Sequence, residues 1–545
     1  MNSKRLKSLI VLTLVCALTT SFITGCKKEK KEESTVTETD KRGKITVSIY
    51  DRGSCDPKEG SMTDNRWTKW INENGPVDVT YVPVPRWEAT KQWPVMFASG
   101  TAPDLILEYD ANSKDQLYSQ KLLMPLDDLI AKHSTEYKNL TEKYPSLLKF
   151  GKKTDGKVYE FVRLGNMTEG KYLAYRADWL KKLNLKVPQT TDELFNVMKA
   201  FAKNDPDGNG KEDTFGFNPS GPGQFLIGSM FGLGTVGADW FRPWYIENGK
   251  HTFDWNRVKS YAEYQKKLYD EGIIDKDFLN DKNGEKAAQD WMNGKLGFAA
   301  LNSSVSALTE YTTLKKNAPD AEIAYLELPQ SPYGKFNLGI ASPLGGIGVI
   351  NASCKDPVSV MKYIDFMLSD KAMKYLTLGP DGTYYKQLSD GKYQEIDPAK
   401  TKLEKGYLPD YLMPQSGVLT TGKYEFAIAE DAVTKARYEV DKLRSKAYRK
   451  NEPKQINMIQ NLPALTDELN ISFNDGSKMV RDIISQTIVG GSSKSVDKGI
   501  QEAQDAWKKA GGEKVTEYYE KWYQEHKNDA ITNDDLYKFP WSEIK

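Results

Sequence analysis

The stretch NDPDGNGKEDTFGF, residues 204–217, sets oxygen-bearing side chains at alternate positions of a glycine-containing loop. A hard divalent cation needs such a set, since calcium takes six to eight oxygens at about 2.3–2.6 Å. A twelve-residue calcium loop places its ligands at positions 1, 3, 5, 7, 9 and 12, with glycine at 6. These map to Asp205, Asp207, Asn209, the Lys211 carbonyl, Asp213 and Gly216, with Gly210 at the turn. The first five positions fit; the twelfth lacks its glutamate. Three clustered carboxylates repel one another, and a divalent ion relieves that repulsion. The expectation is a structural Ca2+ that closes a surface loop after a helix. The rival reading is an exposed Asp/Asn-rich turn with no ion.

Other chemistry is scarce. His133, His251 and His526 are each isolated, which leaves little material for an imidazole active site or a zinc centre. Neither a G-x-S-x-G elbow nor a G-x-x-x-x-G-K-[ST] phosphate loop occurs. Charge is nearly balanced, with 76 basic against 75 acidic side chains, which argues against a nucleic-acid partner.

The N-terminus, MNSKRLKSLIVLTLVCALTTSFITGC, carries Lys4, Arg5 and Lys7 before an apolar run from Leu9 towards Ile23. The run is short and broken by Thr and Ser, so it reads as a secretory signal (residues 1–25) rather than a membrane span. It ends in ITGC, which resembles the bacterial lipobox. That resemblance implies a diacylated Cys26 as mature N-terminus, anchored on the extracellular face of the cell membrane. The alternative is a buried thiol in an uncleaved helix. Residues 26–43 are charged, with Val36 as the one large apolar side chain, and read as a polar tether. Beyond it, Cys55 and Cys354 can form at most one bridge; whether they pair is left open.

The elements that must position a site come next. GKITVSIYDRG (43–53) alternates as a strand, residues 66–85 read as helix, Gly-Pro turn and strand, and residues 87–112 as helix, loop and a third strand at Leu105–Leu107. This alternation is the pattern of an α/β lobe with a largely parallel sheet. Ligands bind outside the carboxyl ends of such strands. The rule points to Tyr50, Asp51 and Arg52 after the first strand and to Tyr109 and Asp110 after the third; the plain alternative is ordinary loop residues. Thr191 reads as the N-cap of a helix whose apolar positions are Leu194, Val197, Met198 and Phe201. Removing the signal leaves about 520 residues, more than one core usually supports, so two lobes are expected.

Several runs, taken in order, resemble one family. They are MFASGTAPDLI, LAYRADWLKKLNLKVPQTTDELFNVMKAF, DPDGNGKEDTFGF, KLYDEGIIDKDF, WMNGKLGFAAL and LGPDGTYY. The family is the extracellular solute-binding proteins of bacterial ABC importers, in the large sugar-directed lipoprotein branch. The resemblance implies an α/β, two-lobe, periplasmic-binding-protein-like fold of type II, with hinge strands between the lobes. Lobe 1 is expected over 44–160 with 303–345, and lobe 2 over 161–302 with 346–545. It further implies a monomeric binding subunit, not an enzyme. Such a subunit captures a carbohydrate, in particular an oligosaccharide, by lobe closure and delivers it to ABC permease subunits. Long members often carry an acid after the ninth loop position, where Thr214 stands here.

Sugars present flat C–H faces ringed by hydroxyls, so a site needs aromatic plates with Asp, Asn and Arg partners. GTVGADWFRPWY (234–245) offers Trp240, Arg242, Trp244 and Tyr245 in what reads as an irregular loop, either facing the cleft or plugging the second core. Trp291, Asn302 and Ser303 stand at a lobe crossing and complete the candidates. The rival functions are a lipid-anchored glycoside hydrolase or lyase, which needs two carboxylates about 5–10 Å apart, and a binder of peptide or another solute on the same fold.

Overall fold

In the computed structural model the described residues are 42–538, apart from 166, 167, 170, 237, 238, 303, 304, 337–339, 342, 343, 416, 428–439 and 441–456. Cys26 and most of the tether thus lie outside the described residues. Eight strands build the two main sheets: β1 (Gly43–Asp51), β2 (Val77–Pro85), β3 (Leu105–Leu107), β4 (Phe161–Leu164), β5 (Lys171–Arg176), β6 (Phe298–Asn302), β7 (Ile323–Leu326) and β8 (Leu344–Ile350).

The first sheet has the order β2-β1-β3-β8-β4. β1 runs parallel to β2 from Gly43↔Val77 to Asp51↔Pro85, and parallel to β3 at Val47↔Leu105. The expected parallel sheet is therefore present in its first three strands. β8 and β4 add to it antiparallel. Asp104 ties the loop before β3 to β1, accepting from Thr46 N at 2.8 Å and Thr46 Oγ1 at 2.7 Å. The second sheet, β6-β5-β7, is antiparallel throughout.

Each sheet has its own core. Val47, Leu105 and Trp93 pack in the first with Val360, Tyr363, Met367, Tyr407 and Tyr411. Tyr172, Phe201, Trp291 and Phe298 pack in the second with Ile484, Trp507 and Val515. Segments 354–413, expected with lobe 2, thus belong to the first core. The reason is β8: once it pairs between β3 and β4, the helix Pro357–Leu368 that follows must cover that sheet. Conversely β7, expected with lobe 1, pairs with β5, and Tyr325, Leu326 and Leu328 enter the second core.

The chain leaves the first sheet after β4 and returns to it at β8. On the way, Thr168–Glu169 pairs antiparallel with Ile340–Ala341, so the two crossing segments lie side by side. A small third cluster joins Val162, Leu164 and Leu344, beside these crossings, to Ile531 and Leu536 near the C-terminus. The helix Thr191–Lys203 is capped by Thr190 rather than Thr191: Glu193 N donates to Thr190 Oγ1 at 3.2 Å while Glu193 Oε2 accepts from Thr190 N at 3.3 Å. A capping box needs the glutamate three residues after the cap, which selects Thr190. Cys55 and Cys354 are free thiols. No described helix is long and apolar enough to cross a membrane.

Candidate ligand-binding site

Because β1, β2 and β3 are parallel, their carboxyl ends form one edge, and the first-lobe candidates gather there. Tyr50 is 1% exposed and lies beneath this edge. Its hydroxyl donates to Glu108 and accepts from Tyr109 N at 3.1 Å, while Trp93 Nε1 donates to the other Glu108 oxygen at 2.7 Å. Asp51 accepts from Gly53 N at 2.8 Å and braces the turn. Asp110 caps the helix Ala111–Ser119 by accepting from Ser113 N at 2.7 Å and Ser113 Oγ at 2.8 Å. Both carboxylates are thereby engaged within the loops. Arg52 donates through Nε to Asp410 at 2.9 Å; burial pushes the Asp410 carboxyl up, against the pull of Arg52.

Three further residues join them. Arg86 lies 4.5 Å from the Tyr50 ring centroid, and Arg163 lies 5.2 Å from that of Tyr109. The Tyr50 and Tyr109 rings are 5.9 Å apart. Trp87 beside Arg86 is 82% exposed, an unusual burden for an indole in water. Arginines therefore flank the aromatic rings of this edge, Arg86 at Tyr50 and Trp87 and Arg163 at Tyr109. Arg86 and Trp87 follow β2 directly, so the rule that picked residues after the first and third strands would have found them at the second. Arg163, on β4, had no such signal.

Tyr109 also lines a cavity of about 610 Å³ between the first lobe and the C-terminal segments, whose other aromatic walls include Tyr118, Phe150 and Trp522. Trp522 stacks on His526 with centroids 5.3 Å apart. One wall is a charge network. Lys114 Nζ lies 2.8 Å from Glu160 and donates to the carbonyls of Glu108 at 3.1 Å and Gly346 at 2.7 Å. Lys153 pairs with Glu160 and with Asp115, the latter at 2.6 Å. Burial alone would push the Glu160 carboxyl up, but Lys114 and Lys153 outweigh it and hold it down at about 2.

The second-lobe candidates do not assemble into one surface. Two hairpins, Gly234–Val236 with Asp239–Arg242 and Trp244–Glu247 with Lys250–Phe253, include the stretch 234–245 where an irregular loop was expected. Trp244 is 5% exposed and packs on Phe253, Phe473, Trp507 and Tyr519; it plugs the core. Tyr245 is buried beneath Arg257, whose guanidinium sits 3.5 Å from the ring centroid. Trp291 is fully buried in the second core. Asn302 ends β6 opposite Lys171. The side chains of Trp240, Arg242 and Asn302, and the whole of Ser303, lie outside what is described.

In the 204–217 loop, Asp205 adopts φ +45° and accepts from the main-chain N–H groups of Gly208, Asn209 and Gly210, each at 3.0 Å. Those three N–H groups hold the Asp205 carboxyl low against desolvation, whereas Asp207 is pushed up by partial burial and by the facing Asp205. Asn209 Nδ2 bridges Asp207 Oδ2 at 2.9 Å and Asp213 Oδ1 at 3.0 Å, and Lys211 N donates to Asn209 Oδ1 at 2.8 Å. The amide nitrogen thus holds the place a cation would take between those carboxylates. The donor set fits calcium if this amide turns its oxygen inward. As arranged, no three His, Cys, Asp or Glu side chains among the described residues converge as metal ligands.

Two separately packed lobes joined by paired crossing segments define a binding protein of the two-lobe kind. The chain belongs to the family described as bacterial extracellular solute-binding protein, whose model matches residues 67–385. It is a binding protein rather than an enzyme. It is 26% identical over 477 residues to lipoprotein LipO of Bacillus subtilis, covering 83% of this chain and 87% of that one. It is 25% identical over 472 residues to the polygalacturonan/rhamnogalacturonan-binding protein YtcQ of the same organism, covering 83% and 86%. In fold it resembles an HMO-binding, ABC-transporter-associated solute-binding protein from Bifidobacterium longum infantis, with TM-score 0.67, 18% identity, and 89% and 99% coverage.

Proposed function

We propose that this protein is the lipid-anchored capture subunit of an ABC importer for an oligosaccharide. The observation that carries this reading is the edge where Arg52 and Arg86 lie over Tyr50, Arg86 lies beside the exposed Trp87, and Arg163 lies over Tyr109. Rings stack on sugar C–H faces, and guanidinium groups donate in-plane hydrogen bonds to hydroxyl or carboxylate oxygens. The similarity to the polygalacturonan/rhamnogalacturonan-binding YtcQ and to the ABC-transporter-associated Bifidobacterium protein supports a carbohydrate ligand and an ABC partner. Ligand contacts to both lobes select a closed arrangement, with the crossing segments Thr168–Glu169 and Ile340–Ala341 as the hinge. A lipid on Cys26 holds the monomer at the outer membrane face, and Ca2+ in the loop Asp205–Asp213 stiffens the second lobe.

A melting-temperature screen against neutral and uronate-containing oligosaccharides tests this directly. At a hundred times its Kd the cognate sugar should add about 2.7 kcal/mol of stability. Mass spectrometry should recover that sugar intact. A flat screen, or a shortened sugar, would overturn the proposal.

A further inference from the structure

The edge described above lacks a wall from the second lobe, since Trp244 and Trp291 are buried in that lobe's core. The helix Gly512–Glu525 supplies one. Its Val515 and Tyr519 enter the second core, so the helix belongs to that lobe. Tyr518, Trp522 and His526 follow one another at four-residue spacing on the neighbouring stripe. Trp522 and His526 line the cavity of about 610 Å³ that Tyr109 also lines. The opposite wall is first-lobe: Asp115 and Tyr118 stand on the helix Ala111–Ser119, whose Leu117 packs in the first core. Trp522, His526, Asp115 and Tyr118 are each partly exposed. Tyr518 shows how close the walls come. Its hydroxyl donates to Ala464 O at 2.9 Å and is pushed up by burial and, behind that, by Asp115 and Tyr118 of the facing wall.

The chemistry of the walls is complementary. Trp522 and His526 form a stack with planes 11° apart, a flat unit at the side of the groove. Across from it, Asp115 Oδ1 takes Lys153 Nζ at 2.6 Å, while Oδ2 has no hydrogen-bond partner among the described residues. Burial pushes the Asp115 carboxyl up by more than Lys153 pulls it down. Such an acceptor, short of solvation, calls for donors. The four lysines of the groove are already matched. Lys114 and Lys153 hold Glu160, Lys152 lies 3.5 Å from Asp529, and Lys149 donates to Asn528 O at 2.7 Å. A ligand carboxylate would meet no unmatched lysine here and would face Asp115.

A sugar hydroxyl donates to a carboxylate oxygen while the C–H face of its ring lies on an indole. We propose that this groove seats an uncharged sugar unit, its C–H face against Trp522 and a hydroxyl donating to Asp115. The helix Gly512–Glu525 is then the second lobe's part of the site. This rests on the oligosaccharide reading and adds to it the missing wall and the charge of the unit held there.

Titration calorimetry on the folded chain tests it, with cellotetraose, xylotetraose, mannotetraose and galactotetraose as neutral probes and tetragalacturonate as the anionic one. At least one neutral tetrasaccharide should bind saturably, and more tightly than tetragalacturonate. Trp522→Ala should weaken that sugar on the order of tenfold or more. Trp522→Phe keeps a ring and should fall between Trp522→Ala and the wild type, which covers the case in which Trp522→Ala does not fold. Asp115→Asn should weaken it about tenfold, the loss of one charge-assisted hydrogen bond. Unchanged affinity in the folded Trp522 and Asp115 variants would overturn the proposal and leave the oligosaccharide reading standing. Tighter binding of tetragalacturonate than of every neutral probe would overturn the uncharged unit alone. Binding of none of the five would overturn the proposal together with the reading it rests on.

Discussion

Trp87 is the residue whose position is hardest to explain by packing alone, because its indole is 82% exposed at the end of β2 with Arg86 5.6 Å from its ring. Trp87→Ala should therefore change folding stability by no more than about 0.5 kcal/mol and weaken oligosaccharide binding by about 1–3 kcal/mol. Paired unfolding and calorimetric titrations separate the two effects. His251 gives a pH prediction. It is 5% exposed, its Nδ1 has no hydrogen-bond partner among the described residues, and burial holds its pKa down at about 4, below the ordinary 6.5. Between those values the unfolded chain binds a proton that the native state refuses. Stability is thus full above pH 6.5 and falls as pH drops towards 4, by at most about 3 kcal/mol. His251→Phe should flatten that part of the urea-midpoint profile, and parallel profiles would refute the assignment. At this scale the sequence marked Arg52 and Tyr109 through the strand-end rule. It left Trp244 and Tyr245 between cleft and core, because an aromatic cluster among glycines and proline looks the same whether it faces a groove or fills a core.

Among the elements, β8 decides most of the architecture. Its Gly346 sits where an added Cβ would lie 1.9 Å from Glu160 Oε2 and 2.8 Å from Lys114 Nζ. Gly346→Ala should push this buried ion pair apart and destabilise the first lobe. Lys114→Met, which leaves Glu160 short of a partner, should cost about 3–5 kcal/mol, read as a lowered denaturant midpoint. The effect on pH dependence has a definite sign. Glu160 is held at about 2, so its contribution is complete above the ordinary glutamate range near 4.5 and is lost as pH falls towards 2. Adding a calcium chelator should lower the melting temperature of the wild type and have little effect on Asp207→Asn; equal shifts would remove the ion from the account. The parallel β1–β3 unit was legible because strand, helix and strand alternate with clear periods. The antiparallel return of β8 was not, since its pairing partners on β3 and β4 lie far away in the chain and leave no local signature. The hairpins within 234–253 were hidden for a different reason: their strands are only three or four residues long.

Across the whole molecule, two cores share a narrow bridge: the paired crossing segments and the small cluster of Val162, Leu164, Leu344, Ile531 and Leu536. Opening and closing about that bridge leaves each core intact, so the energy difference between arrangements can be small enough for ligand contacts to decide it. The two-lobe design was visible in length and motif order, whereas the assignment of 354–413 to the first core required the pairing of β8. The most direct test is small-angle X-ray scattering of the folded chain across a titration with the oligosaccharide that raises its melting temperature. The account predicts a saturable fall in radius of gyration that tracks occupancy. A radius of gyration that stays constant while the sugar binds would contradict it.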